Sequence, residues 1–147
     1  MDLKSILKLE NISIIDKQLE WKESIYLATK PLVEQKFVEE RYPEEIIKNT
    51  YEFGPYYILV DDVAFLHTRP EQGVIEDQIS VLLDKQTVHF KEDESKGVKL
   101  FIVFAAKGSE EHIQIMGMIA EILADEEKLN KIIKAKSEKE IYDLIFN

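Results

Sequence analysis

The stretch Leu100-Phe-Ile-Val-Phe-Ala-Ala106 restricts the fold more than any other. An apolar run without polar alternation reads as a strand covered on both faces, which places it inside a sheet with helices above and below. The rest of the chain supplies those helices. After Asp16, a candidate N-cap, the residues Trp21, Ile25, Ala28 and Leu32 fall on one helical face, with Pro31 kinking or ending the helix. Pro43 suits the first turn of a second helix that carries Ile46, Ile47 and Phe53 and is stopped by Gly54-Pro55. Ser109 caps a third, from Glu110 to Ala124, whose apolar residues Ile113, Ile115, Met116, Ile119, Ile122 and Leu123 exceed a single narrow stripe. Asp125 opens a short helix through Ile133, and Ser137-Glu-Lys-Glu140 forms a capping box before a last one bearing Ile141, Leu144 and Ile145.

Further strands are expected at Ile12–Ile15, Tyr56–Val60, Val63–Leu66, Gln78–Leu83 and Thr87–Phe90, with a charged loop over 91–96. The order of helices, strands and helices predicts a three-layer α/β/α domain with a mixed central β-sheet flanked by helices, a single domain over residues 1–147. Charge and residue types then narrow the function. Nineteen basic against 29 acidic residues give a net charge of −10, which opposes nucleic acid and anionic membranes. The chain has no cysteine, so it forms no disulfide framework and has no thiol chemistry. No apolar run approaches bilayer length, and a cytoplasmic protein is expected.

Only three histidines occur, and one of them ends an apolar run in Val63-Ala-Phe-Leu-His67-Thr-Arg69-Pro-Glu-Gln-Gly-Val74. Pro70 and Gly73 interrupt regular structure after it, so His67 sits where a strand opens into a loop at the rim of a sheet. A neutral imidazole there serves as a nucleophile. Arg69, one of two arginines in the chain, offers a planar fork of donors to a phosphoryl group. His112 falls in the first turn after the central strand, where unpartnered backbone amides attract anions. Were the ends of the two strands adjacent, His67 and His112 would face one pocket. His89 lies in a short strand and is read as structural or exposed.

The segments Gly54-Pro-Tyr-Tyr-Ile-Leu-Val60 and Val63 to Val74 resemble the active-site region of enzyme IIA components of the bacterial sugar phosphotransferase system. Within the fructose/mannitol superfamily the likeness is to the ascorbate-type branch, whose pattern runs Gly-Pro-Tyr, then Ala-Leu-Pro-His-Ala-Arg-Pro-Glu-Asp-Gly-Val. Leu66 stands where that pattern has proline, and Asp61-Asp62 where it has a Pro-Gly pair. Val98 to Leu123, including Glu111-His112-Ile113, resembles the same family's second histidine region.

The resemblance implies a phosphocarrier. Phospho-HPr would donate to His67, and the group would pass to an enzyme IIB, the membrane being reached only through a permease. His112 would hold the phosphoryl oxygens or fix the His67 tautomer, with Arg69 and Ser109 stabilising the group. An arginine that the fructose/mannitol branch carries upstream has no counterpart among Thr50, Tyr51 and Glu52. The transfer asks for positioning and charge neutralisation, and no metal or other cofactor is implied. Two rivals remain: a regulatory or binding module of the same fold, and a metal-dependent hydrolase built on His67 and His112, for which no spaced ligand motif is present.

Overall fold

The computed structural model describes residues 2–90 and 97–147. The expected 91–96 loop lies outside them. Along the chain run α1 (Leu3–Ile6), β1 (Leu7–Ile15), α2 (Trp21–Glu34), α3 (Arg41–Phe53), β2 (Asp62–Leu66), a 3-10 turn (Pro70–Gln72), β3 (Gln78–His89), β4 (Gly97–Ala105), α4 (Ser109–Ala124), α5 (Glu126–Ile133) and α6 (Glu138–Phe146). The four strands form one mixed sheet in the order β1-β3-β4-β2. The inner pair β3/β4 is antiparallel, and each outer strand runs parallel to its neighbour.

The apolar run at 100–106 is interior, as its composition demands, and helices cover both faces. On one face Ile79, Val81, Leu100 and Ile102 meet Ile119 and Leu123 of α4, Ile132 of α5 and Ile145 of α6. On the other, α2 lies close enough for the buried Ser80 hydroxyl to donate to the Ala28 carbonyl at 2.9 Å. This is the three-layer α/β/α arrangement. Among the described residues no helix is long and apolar enough to cross a membrane.

Several boundaries differ from the sequence reading, each for a physical reason. Tyr56–Val60 is not a strand. Gly54, at φ 78°, ends α3 and turns the chain, and the two tyrosines send their rings inward while the backbone folds back on itself. Only two bonds reach β2 from this segment, Phe65 N–H to the Tyr57 carbonyl at 2.8 Å and Val63 N–H to the Val60 carbonyl at 3.2 Å. Asp62, at φ 70°, supplies the left-handed residue between Val60 and Val63, a conformation that a short acidic side chain tolerates.

β1 begins at Leu7 rather than Ile12, because residues 8–11 bulge away from β3 and hide the strand pattern behind Lys8 and Glu10. The N-cap of α2 is Glu20, in a capping box with Glu23, while Asp16 instead accepts from the Gln86 side chain at 2.9 Å. Pro31 occupies the last turn of α2, which runs on to Glu34. The two expected strands at 78–83 and 87–90 are one irregular strand, β3, with its register shift between Leu83 and Val88. Gly108, not Ser109, is the N-cap of α4, and Ser109 is the first helical residue.

Candidate functional site

Parallel pairing of β2 with β4, Leu66 opposite Val103, brings the C-terminal ends of the two strands together. His67 comes directly after β2, and β4 leads through residues 106–108 into α4, so His67 and His112 converge. Their ring centroids are 5.3 Å apart. His112 N–H makes the first bond of α4, to the Gly108 carbonyl at 3.0 Å. The amides of Ser109, Glu110 and Glu111 therefore precede the helical ladder at the positive end of the dipole. The site is a cleft of about 800 Å³ lined by His67, Thr68, Arg69, Gly108, Ser109 and His112, among others.

The His67 ring is fixed from several sides. Its Nδ1 lies 2.7 Å from the Phe65 carbonyl oxygen, which only accepts, so Nδ1 carries the proton and Nε2 the lone pair. Phe104 stacks on the ring with centroids 4.5 Å apart and planes at 23°, and the edge of Tyr56 meets it at 5.7 Å. Burial among these groups pushes the imidazole pKa below its ordinary value. The Phe65 carbonyl opposes that shift and nearby His112 adds to it. The ring is neutral, oriented and half-buried.

A polar network holds the loop beyond His67. Tyr56 OH donates to the His67 carbonyl at 2.5 Å, and Thr68 N–H donates to Tyr42 OH at 3.2 Å. The amide of Asn49 donates to Thr68 Oγ1 at 2.7 Å and to Gln72 Oε1 at 3.0 Å; the Thr68 hydroxyl also donates to Gln72, and Gln72 Nε2 reaches Glu45 at 2.9 Å. Sequence reasoning found none of Tyr42, Asn49, Thr68, Gln72 or Phe104. No local pattern marks them: Tyr42 and Asn49 are buried on α3, Thr68 in the loop after β2 and Phe104 in β4, placements that only the tertiary fold turns toward His67.

Residues 5–147 match the family described as "Phosphoenolpyruvate-dependent sugar phosphotransferase system, EIIA 2". The chain belongs to this family. The mannitol-specific cryptic phosphotransferase enzyme IIA component of Escherichia coli (strain K12) is 33% identical over 145 residues, covering 99% of this chain and 98% of that one. The ascorbate-specific PTS system EIIA component of the same strain is 31% identical over 126 residues, covering 85% and 82%. A solved complex of enzyme IIAMTL with phosphorylated enzyme IIBMTL from Escherichia coli aligns with TM-score 0.82 at 26% identity, covering 95% of this chain and 98% of that one.

In this enzyme IIA component the sequence-derived residues fall out unequally. His67, His112, Arg69 and Ser109 all line the cleft. Arg69 is 69% exposed and lies 3.6 Å from Glu71, a contact that solvent weakens. Ser109 is exposed as well. His89 is exposed at the end of β3 and belongs to another region. Among the described residues no third His, Cys, Asp or Glu joins His67 and His112 to form a metal-holding group. Phe65 and Tyr57 pack into the core at 5% and 1% exposure, whereas Phe53 and Ile113 line the cleft at 67% and 71%.

Proposed function

We infer that this enzyme IIA component is a single-domain phosphocarrier that takes a phosphoryl group from phospho-HPr onto His67 Nε2. It passes the group to an enzyme IIB in the cytoplasm. The observation that carries the reading is the Nδ1–Phe65 carbonyl bond, which leaves Nε2 as the nucleophile at the edge of a cleft shared with His112 and the start of α4.

The step needs no proton transfer. The Nε2 lone pair attacks phosphorus while the donor's bond to phosphorus breaks and its electron pair returns to the donor; Nδ1 keeps its proton throughout. On release the Nε2–P pair returns to the ring as the acceptor's nucleophile bonds phosphorus. His112, Ser109 and the amides opening α4 meet the developing charge on the phosphoryl oxygens, with Arg69 at the solvent side. Exposed Phe53 and Ile113 flank this opening and form an apolar contact for small protein partners that dock and leave quickly. The solved IIA–IIB complex of a relative supports the onward step.

The test separates the histidines. His67→Ala incubated with phospho-HPr stays unmodified by mass spectrometry, whereas His112→Ala accepts phosphate but passes it to enzyme IIB more slowly, by on the order of 10²-fold, the scale for one preorganised electrostatic contact. Phosphorylation of His67→Ala would overturn the assignment. Acceptance without onward transfer to any enzyme IIB would favour a regulatory module of the same fold.

A further inference from the structure

We propose that Tyr56 is a positioning residue for His67, acting with Tyr42 as a two-sided hydroxyl clamp on the peptide group that joins His67 to Thr68. The proposal rests on His67 being the phosphoryl acceptor. Tyr56 OH donates to the His67 carbonyl at 2.5 Å, and Tyr42 OH accepts the Thr68 amide at 3.2 Å. These are the two polar ends of one planar peptide unit, so the unit cannot rotate without breaking both bonds. Its orientation sets ψ of His67, and with it the direction in which the side chain leaves the backbone.

The clamp is tied to the ring that His67 stacks on. Tyr42 OH donates its own proton to the Phe104 carbonyl at 2.7 Å, so one hydroxyl locates both the acceptor's peptide and the strand end that carries Phe104. Tyr42 is fully buried in the first turn of α3, and Tyr56 reaches the same peptide from the turn that leaves the other end of that helix. Burial raises the pKa of both phenols above the ordinary tyrosine value, so each remains protonated and able to donate throughout the working pH range. The Tyr56 ring also meets the imidazole edge-on, at 85°.

The neighbouring residue provides an internal control. Tyr57 is also a buried phenol whose hydroxyl is bonded, at 2.8 Å to Thr50 Oγ1, but that bond leads into α3 and away from His67. Both hydroxyls are removed by the same substitution, which keeps the rings. Tyr56→Phe is expected to fold, to accept phosphate on His67, and to transfer it to enzyme IIB about tenfold more slowly with the partner KM unchanged, the scale of one lost orienting hydrogen bond. In the unphosphorylated variant the ring-nitrogen NMR signals of His67 should move from the pure Nδ1–H pattern toward a tautomer mixture.

Tyr57→Phe should lower the thermal unfolding midpoint while leaving the transfer rate and the His67 nitrogen signals as in the unmodified protein. Wild-type rate and signals in Tyr56→Phe, or equal slowing in Tyr57→Phe, would overturn the clamp. The nitrogen signals need no phosphate donor. A protein never phosphorylated on His67 would thus overturn the functional reading while the clamp on the ring was judged separately.

Discussion

Acidification probes His67 most directly, because burial has set its protonation against solvent. With the ordinary imidazole value of 6.5 the neutral fraction would fall from about 91% at pH 7.5 to about 9% at pH 5.5, a tenfold loss of nucleophile. In the fold the pKa is lowered, first by burial and then by His112, with the Phe65 carbonyl opposing. The neutral ring therefore persists further into acid, and the rate of phosphate acceptance should drop less than tenfold over that interval. The same shift enters stability with a definite sign. Below pH 6.5 the unfolded chain binds a proton that the folded ring refuses, so stability is complete above 6.5 and is lost as pH falls from there toward the folded value. Relative to His67→Gln, the unmodified protein should lose stability on acidification by no more than about 1.4 kcal/mol per pH unit. Titration of the His67 ring nitrogens by NMR gives the midpoint without partners, and urea unfolding at pH 7.5 and 5.5 gives the linkage. A midpoint at or above 6.5, or a stability difference that grows toward acid in favour of the histidine, would refute the reasoning.

Asn49→Ala strips Thr68 and Gln72 of a buried donor in the loop beyond His67, and should cost about 1–3 kcal/mol in urea unfolding. Ile113→Asp places charge on the exposed apolar rim without touching the core; the thermal midpoint should stay within a degree or so, while NMR titration shows binding to enzyme IIB weakened at least tenfold.

The sheet centre and the nucleophile were legible because each depends on local pattern. An unbroken apolar run allows few environments other than an interior strand, and a histidine between such a run and a Pro/Gly loop lies at a rim. The pairing that joins His67 to His112 was not legible from spacing; it arises from β2 docking parallel to β4 across the chain. Tyr56–Val60 misled because apolar composition fixes neither backbone pairing nor burial at every position. Here Tyr57 is buried and Tyr56 half-buried, Leu59 and Val60 are exposed, and the main chain makes a turn. Asn49 and Gln72 were invisible for the converse reason. On a helix and in a loop, polar side chains read as solvent-facing, and only the tertiary fold turns them toward Thr68.

The substitution at Leu66 shows how local and tertiary constraints exchange. A proline before the histidine would lock its own φ and narrow the backbone on both sides through covalent geometry. Leucine removes that restriction, yet Leu66 is itself fully buried at the end of β2, paired opposite Val103, and the peptide on the far side of His67 is held by two phenol hydroxyls. The imidazole is further pinned through Nδ1 to the carbonyl of Phe65, two residues back on the same strand. The ring therefore depends on strand pairing, on one side-chain-to-main-chain bond and on a stack with Phe104, all non-covalent and all cooperative with the fold. Its precision should consequently fall as the sheet edge loosens, before global unfolding, whereas a proline-held ring would keep its geometry until β2 itself detached.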